Sequence, residues 1–442
     1  MGVPERSDDS AAGGSDDSVA AGASPESRDR RAAGPGFAEL SAGVDLDAAR
    51  VAIARGAVAT PTIASADLAE LAGGAVALKA ESLQVSGSFK LRGALSKLAA
   101  LGARAGDGLI AASAGNHARA VAQAARIVGV ACEVFMPRDA PVSKVAAVDR
   151  LGARVRLGGG SVEEALELAT ARAAESGAAL IHPFDDLDVI AGQGTIGLEL
   201  LEDVPDLARV VVPVGGGGLA SGIGIALRRA RPDVELVGVQ ASACAPLVAA
   251  LAGEAGVGAP ELPAAATIAD GIALKRLGRL TLPLLRELLH SVQTVSEEEI
   301  AGAMVFLAER AKLVAEGAGA VAVAVAMSGR LEPIDGTTVA IVSGGNVDNG
   351  LLASLLRRHE TVAGRRVRIF TRVPDRPGGL ADLLKLIADA RANLLTLEHV
   401  REGVSLNVRE TGVELTLETR GPEHTEQLRA ALEAGGYGVT FE

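Results

Sequence analysis

Val212-Pro213-Val214-Gly215-Gly216-Gly217-Gly218-Leu219-Ala220-Ser221-Gly222 is a β-branched run that ends in four glycines and then enters a helix-compatible stretch. Four consecutive residues without Cβ let main-chain N–H groups converge on an anion at a helix N-terminus. The segment reads as strand, phosphate cradle and helix. It is not a P-loop, because no Gly-Lys-Ser/Thr follows, and dinucleotide spacing fits poorly, because the next acidic residues are Asp233 and Glu235. Glycines alone also permit a loose turn with no ligand.

Outward from this stretch, β-rich runs at 132–136, 155–157, 210–214 and 234–239 alternate with longer Ala/Leu-rich helical segments. Strand, helix, strand in that order favours right-handed crossovers and mostly parallel sheets covered on both faces. The expected class is α/β, with two lobes and a ligand between them. Ligands of open α/β sheets sit beyond the carboxyl ends of strands, and two more loops begin there. In Ala112-Ser113-Ala114-Gly115-Asn116-His117-Ala118, Ser113, Asn116 and the loop amides can hold a carboxylate or phenolate oxygen, although Asn-His in a turn also serves as plain capping chemistry. In Ile341-Val342-Ser343-Gly344-Gly345-Asn346 a neutral hydroxyl stands at a strand end. A fourth loop, Ser86-Gly87-Ser88-Phe89-Lys90-Leu91-Arg92-Gly93-Ala94, delivers one amine to the first turn of a helix. The positive helix end and the apolar Phe89 both favour a neutral, nucleophilic amine there; the other reading is one solvated cation among 43 Lys and Arg residues. Pyridoxal phosphate needs an amine, a phosphate nest, a carboxylate nest and a hydroxyl together.

Residues of about 43 to 350 resemble the fold-type II pyridoxal-phosphate enzymes, and within them the threonine/serine ammonia-lyases. The resemblance rests on Gly87-Ser88-Phe89-Lys90-Leu91-Arg92-Gly93-Ala94, the 113–118 loop, Gly215 to Gly218, Ala269-Asp270-Gly271-Ile272-Ala273, Glu316-Gly317-Ala318-Gly319-Ala320 and the 343–346 loop. It implies a two-lobed catalytic domain like the tryptophan synthase β subunit, over 37–356, with a small lobe at about 81–185. Lys90 would carry the cofactor covalently and act as the catalytic base, Phe89 would pack beside the ring, and Asn116 would bind its 3′-oxygen. Gly215, Gly216, Gly217, Gly218 and Leu219 would hold the phosphate, and Ser343 would face the pyridine nitrogen. Ser113, Ala114, Gly115, Asn116 and His117 would hold the substrate carboxylate. Asp270 and Glu316 are expected to line or support the site, His182 to be a packed loop residue, and Gln193 to shape the lobe interface. The implied reaction is deamination of L-threonine to 2-oxobutyrate and ammonia, and of L-serine to pyruvate.

Two other functions stay open. A serine racemase shares fold and cofactor, but racemisation needs a second acid or base opposite the lysine. The resembled racemases have a serine where this chain has Ala114. A catalytically silent amino-acid sensor is the other alternative, against which the intact Lys90, Asn116, tetraglycine and Ser343 argue. The stretch Gln240-Ala241-Ser242-Ala243-Cys244 lacks the carboxylates of relatives with a metal site, so no metal is expected.

After a charged linker at 357–365 the pattern changes. Strand candidates at 366–373, 393–400, 412–419 and 437–441, with helices at 380–391 and 423–433, follow the order βαββαβ. With the turn Asp375-Arg376-Pro377-Gly378-Gly379-Leu380, residues 366–442 resemble an ACT-type regulatory domain. That implies a small amino-acid effector such as isoleucine or valine; a dimerisation module without ligand is the other reading. The related enzymes imply a homo-oligomer, a dimer or tetramer.

Composition narrows the partners. A net charge of −12 without a basic, aromatic-interleaved patch argues against nucleic acid. The uncharged stretch at 210–227 is cut by Pro213 and six glycines, which suits a buried strand and loop better than a membrane helix. Two distant cysteines, Cys132 and Cys244, match no metal spacing and point to a reducing cytoplasm. Residues 1–36, rich in Ser, Ala, Gly and charge, read as a disordered tail rather than a leader.

Overall fold

The apolar run before the glycines forms the strand Leu207–Pro213 (β7), in which Val210, Val211 and Val212 are fully buried, as a strand covered on both faces requires. It lies inside a six-stranded sheet with Thr62–Ala64 (β1), Val76–Lys79 (β2), Glu235–Ala241 (β8), Ser291–Val295 (β9) and Thr337–Ile341 (β10). The order is β1-β2-β10-β7-β8-β9, parallel except where β1 pairs antiparallel with β2. The computed structural model describes residues 35–253, 266–401 and 409–441; the expected 1–36 tail lies outside them apart from its last two residues.

A second sheet holds Leu109–Ala112 (β3), Cys132–Met136 (β4), Arg154–Leu157 (β5) and Ala179–Leu180 (β6), in the order β5-β4-β3-β6 and parallel throughout. The helices that matter for the site are Lys90–Leu101 (α1), Asn116–Val128 (α2), Val142–Asp149 (α3), Leu187–Asp203 (α4), Gly218–Ala230 (α5), Gly317–Met327 (α6) and Asn349–Val362 (α7). Helix α6 is Gly-Ala-Gly-Ala-Val-Ala-Val-Ala-Val-Ala-Met, apolar all round, and all but its last residue are buried against the large sheet and its neighbours, as a helix without a polar face must be.

Helix α1 is locked from behind. Gly192 of α4 has no room for a Cβ, which would fall 2.5 Å from the carbonyl oxygen of Arg92, so the two helices meet at backbone distance. Gln193 of α4 is buried where α4 meets Gly93 of α1. Arg92, with no exposed surface, makes a two-pronged contact to Glu81 (2.7 and 3.0 Å) and another to Glu199 of α4 (2.5 and 2.9 Å). Lys79, also fully buried, adds Glu199 at 2.8 Å, Asp203 at 3.1 Å and the carbonyl of Thr60 at 2.8 Å. Such a cluster is stable because each charge is paired and hydrogen-bonded.

The C-terminal region forms Arg366–Pro374 (β11), Asn393–Val400 (β12), Glu410–Glu418 (β13) and Val439–Phe441 (β14), with helices Gly379–Asp389 (α8) and Pro422–Ala434 (α9). The sheet is antiparallel, β12-β13-β11-β14. Burial alternates along β11: Val367, Ile369, Thr371 and Val373 point inward, and Val367, Ile369 and Val373 join Leu383, Ile387, Leu428 and Leu432 in one core. Helix α7 leads into this sheet and packs against β11.

Candidate active site

Strand order brings the loops together. Because β10 lies between β2 and β7, the turn after Ile341 emerges beside both Lys79 and the end of β7. The 343–346 loop then fastens the lysine loop: Phe89 N–H donates to the Ser343 carbonyl at 3.1 Å and Gly345 N–H to the Gly87 carbonyl at 2.9 Å. Asn346 Nδ2 donates to the Ser86 carbonyl at 3.0 Å, across 260 residues of chain. A cavity of about 610 Å³ opens in front of these loops, and Phe89, Lys90, Ser113, Ala114, Gly115, Asn116, His117, Gly215, Gly216, Gly217, Gly218, Leu219 and Ser343 all line it. Every expected site residue therefore faces one space.

Lys90 is the first residue of α1, with its Nζ 2.8 Å from the Pro183 carbonyl and 5.1 Å from the centre of the Phe89 ring. Burial lowers its pKa from the usual 10.5 to about 8, against the opposing pull of Glu316. The amine is thus partly neutral near neutral pH.

The tetraglycine turn is shaped by packing. A Cβ at Gly216 would strike the Phe184 ring at 2.3 Å, one at Gly218 would crowd the Phe184 main chain at about 3 Å, and Gly217 has φ 93° as it enters α5. Thr281, fully buried, donates from Oγ1 to the Gly216 carbonyl at 2.6 Å and accepts from Gly278 N–H at 3.1 Å. That bond ties the Gly216 carbonyl to Thr281 and fixes the turn. No side chain caps the start of α5, so its N–H groups are left for an anion.

The 113–117 loop is similar in kind. Ser113 Oγ accepts from Gly115 N–H at 3.0 Å, and α2 begins at Asn116 without a side-chain cap. The His117 ring is engaged elsewhere: Nε2–H donates to the Ile181 carbonyl at 2.8 Å, and burial together with the nearby Lys90 depresses its pKa to about 3. What His117 offers the cavity is main chain. Ser343 Oγ, buried, donates to the Ala318 carbonyl at 3.3 Å. His182 accepts from Phe184 and Asp185 N–H through Nδ1, the work of a packed loop residue.

Glu316 is placed more sharply than its motif suggests. Its carboxylate accepts from Asn116 Nδ2 across 200 residues, while Asn116 Oδ1 accepts from Asn346 Nδ2 at 2.7 Å. Burial, and then the Asp270 carboxylate, raise the Glu316 pKa from 4.5 to about 7, against that hydrogen bond and the charges of Lys144 and Arg119. At the mouth, Lys144 of α3 pairs with Asp270 at 2.9 Å. Thr281 and Lys144 are absent from the residues expected at the site, because neither stands in a recognisable sequence pattern.

A main-chain anion cradle, one half-buried amine of lowered pKa, a neutral buried hydroxyl and an amide held at both ends suit pyridoxal phosphate, whose phosphate, aldehyde, ring nitrogen and ring oxygen they match. Comparison with known proteins agrees. The family model for pyridoxal-phosphate dependent enzymes matches residues 53–344, and the ACT domain model matches residues 367–434. The L-threonine ammonia-lyase of Thermotoga maritima is 45% identical over 377 residues, 85% of this chain and 93% of that protein. Among solved structures, threonine deaminase isoform 2 from Solanum lycopersicum superposes with TM-score 0.68 at 31% identity, covering 73% of this chain and 89% of that one. Maize serine racemase superposes with TM-score 0.66 at 34% identity over 72% of this chain and 99% of that one.

Proposed function

The chain belongs to the pyridoxal-phosphate dependent enzymes and, among them, to the L-threonine ammonia-lyases; from that premise we propose the roles of its residues and the scope of its substrates. The reaction is pyridoxal-phosphate-dependent deamination of L-threonine. Threonine loses its Cα proton and β-hydroxyl as water, and water then replaces nitrogen at Cα, so the balance is threonine to 2-oxobutyrate and ammonia. When bound, pyridoxal phosphate supplies an aldehyde for the amine and a conjugated ring that takes up the electrons of the broken Cα–H bond.

Lys90 would hold the cofactor through its Nζ, and the same Nζ would be the base that takes the Cα proton of the substrate. The half-buried Nζ at the start of α1, held by the Pro183 carbonyl where it faces the cavity, is the observation that supports this assignment. The residues 215–219 would hold the phosphate through main-chain N–H groups, with Ser343 for the ring nitrogen, Asn116 for the ring oxygen and Phe89 beside the ring. Ser113 to His117 hold the substrate carboxylate at the start of α2, with His117 contributing its backbone. Glu316 positions Asn116 by accepting from its amide. The racemase alternative lacks a proton-exchanging side chain at Ala114, and we assign turnover of L-serine to pyruvate as a second lyase activity.

Three wider assignments complete the proposal. Residues 37–356 form the catalytic domain with a small lobe near 81–185, 357–365 the linker and 366–442 the ACT domain, which takes a small amino-acid effector such as isoleucine or valine. The enzyme is a homo-oligomer. It works in the cytoplasm; among the described residues no helix is long and apolar enough to cross a membrane.

The test is to supply L-threonine, L-serine and their D-forms separately while following 2-oxo acid release and stereochemical inversion. Keto-acid release from the L-forms is expected, lost in Lys90→Ala along with the visible absorption of bound cofactor. Inversion outpacing keto-acid release would replace the lyase with the racemase.

A further inference from the structure

Four arginines converge on a cavity of about 350 Å³ between α7 and the C-terminal sheet. Arg357, Arg358 and Thr361 come from α7, Arg366 and Arg368 from β11, and Thr416 from β13. Helix spacing puts Arg357, Arg358 and Thr361 within about one turn of each other, and strand alternation sends Arg366 and Arg368 to the same face. The sequence order therefore builds the cluster from two elements separated by a short linker.

Charge is the informative feature. Arg358 lies 3.6 Å from Glu298 and Arg368 lies 2.9 Å from Glu414, yet among the described residues neither Arg357 nor Arg366 has a carboxylate partner. In a chain with net charge −12, gathering guanidinium groups around a hollow costs repulsion that an anion inside would reverse. The half-charge at the C-terminal end of α7, about −0.5, opposes an anion but is outweighed by Arg357 and Arg366, the two guanidinium groups whose charge no carboxylate offsets among the described residues. Planar guanidinium forks with two hydroxyls suit oxyanions of phosphate or carboxylate type. The overall negative charge disfavours a long nucleic acid, which would have to approach the rest of the surface as well.

We propose that this cavity binds a small polyanion bearing phosphate or carboxylate groups, and that α7 couples it to the cofactor pocket. The coupling follows from where the helix starts. Asp348, its N-cap, and Asn349, its first residue, line the cofactor pocket, and the helix carries Arg357 and Arg358 about 12–15 Å further along at about 1.5 Å per residue. An anion drawing Arg357 and Arg358 toward Arg366 and Arg368 acts on one stiff element whose other end faces the substrate.

The experiment titrates the holoenzyme with sodium pyrophosphate by calorimetry, against sodium chloride at matched ionic strength. Using holoenzyme keeps pyrophosphate out of the glycine cradle. Saturable binding is expected, weakened about tenfold or more in the double variant Arg358→Gln/Arg366→Gln and largely kept in Arg358→Lys/Arg366→Lys. The wild-type KM for L-threonine is expected to shift with pyrophosphate, and that shift to vanish in the Gln variant. Circular dichroism and melting verify that both variants fold. Heats no larger than with chloride, or equal affinity in the Gln variant, would overturn the site. Binding with no change in KM or kcat would overturn the coupling, and a change in molecular mass by light scattering without pyrophosphate binding would make the cavity a subunit contact instead.

Discussion

Two glutamates flank the lysine helix, and both are buried. Glu81, behind α1, has no exposed surface and accepts from Arg92 at 2.7 and 3.0 Å and from Thr60 Oγ1 at 2.5 Å. Glu316, in front of it, is 7% exposed and accepts from the neutral Asn116, with Lys144 and Arg119 acting only through space. One carboxylate has a guanidinium fork and the other does not. The first is held by that fork and ties the lysine helix to its neighbours, whereas burial raises the pKa of the second to about 7, within electrostatic reach of a lysine at about 8. The same side chain serves as scaffold in one place and as an adjustable charge in the other, and the partner decides which.

The largest effect should come from breaking the scaffold side. Arg92→Met strands Glu81 and removes two prongs from Glu199, which should cost about 3–5 kcal/mol of stability, because an unpaired buried charge is the expensive outcome. Urea unfolding measures it. Replacing both partners, Arg92→Met with Glu81→Leu, should recover much of that loss, since apolar pairs of similar volume are tolerated in place of a buried ion pair. A loss below about 1 kcal/mol for Arg92→Met, the range of an exposed pair, would remove the distinction between the two glutamates.

The front-side glutamate should show itself through pH. Its folded pKa is raised above the unfolded value of 4.5, so the native state binds the extra proton between 4.5 and about 7. Its contribution to stability is complete below about 4.5 and declines as pH rises toward 7, by roughly 3 kcal/mol in the apoenzyme. Glu316→Gln should abolish that decline, leave Asn116 with an amide partner, and reduce kcat about tenfold while flattening the rate profile near pH 7. Melting curves of apoenzyme from pH 5 to 8 settle the first part. An unchanged slope in the variant would show that Glu316 does not titrate there, and the contrast with Glu81 would be lost.

Much of this arrangement is legible in the sequence, for local reasons. β4 and β12 span the residues that β-propensity marks, and the βαββαβ order of the C-terminal region follows from period-2 and period-3.6 patterns. The four loops are readable because glycine runs, a strand end or a helix start announce each one. What is hidden is every contact between distant segments. Nothing near Thr337–Ile341 says that β10 will slot between β2 and β7, and β1 is too short to announce its antiparallel pairing. Helix α6 has no polar face and hence no period to read. The Glu316 to Asn116 contact depends on two loops 200 residues apart meeting, so the motif alone marks Glu316 as near the site without giving its partner. Arg92 stands inside a recognised motif, but its buried carboxylates come from other elements.

Thr281 is the smallest of these hidden contributions and gives the finest test. Its Oγ1 donates to the Gly216 carbonyl at 2.6 Å and helps hold that turn in the conformation that leaves N–H groups free for an anion. Thr281→Val keeps the shape and removes the hydroxyl, so the Gly216 carbonyl and the Gly278 N–H, bonded to the same oxygen, both lose a partner. A neutral hydrogen bond of this kind is worth about 1 kcal/mol net, with up to about 3 kcal/mol if the carbonyl is left buried and unsatisfied. The expected result is a loss near the lower figure in urea unfolding of the apoenzyme, with pyridoxal phosphate affinity weakened about fivefold. Thr281→Ser should restore both, because it returns the hydroxyl without the methyl. If Val and wild type bind the cofactor equally, the turn is held by its glycine packing against Phe184 alone. The contrast between fixed scaffold and adjustable site would then stop at the two glutamates and not extend to the phosphate end of the pocket.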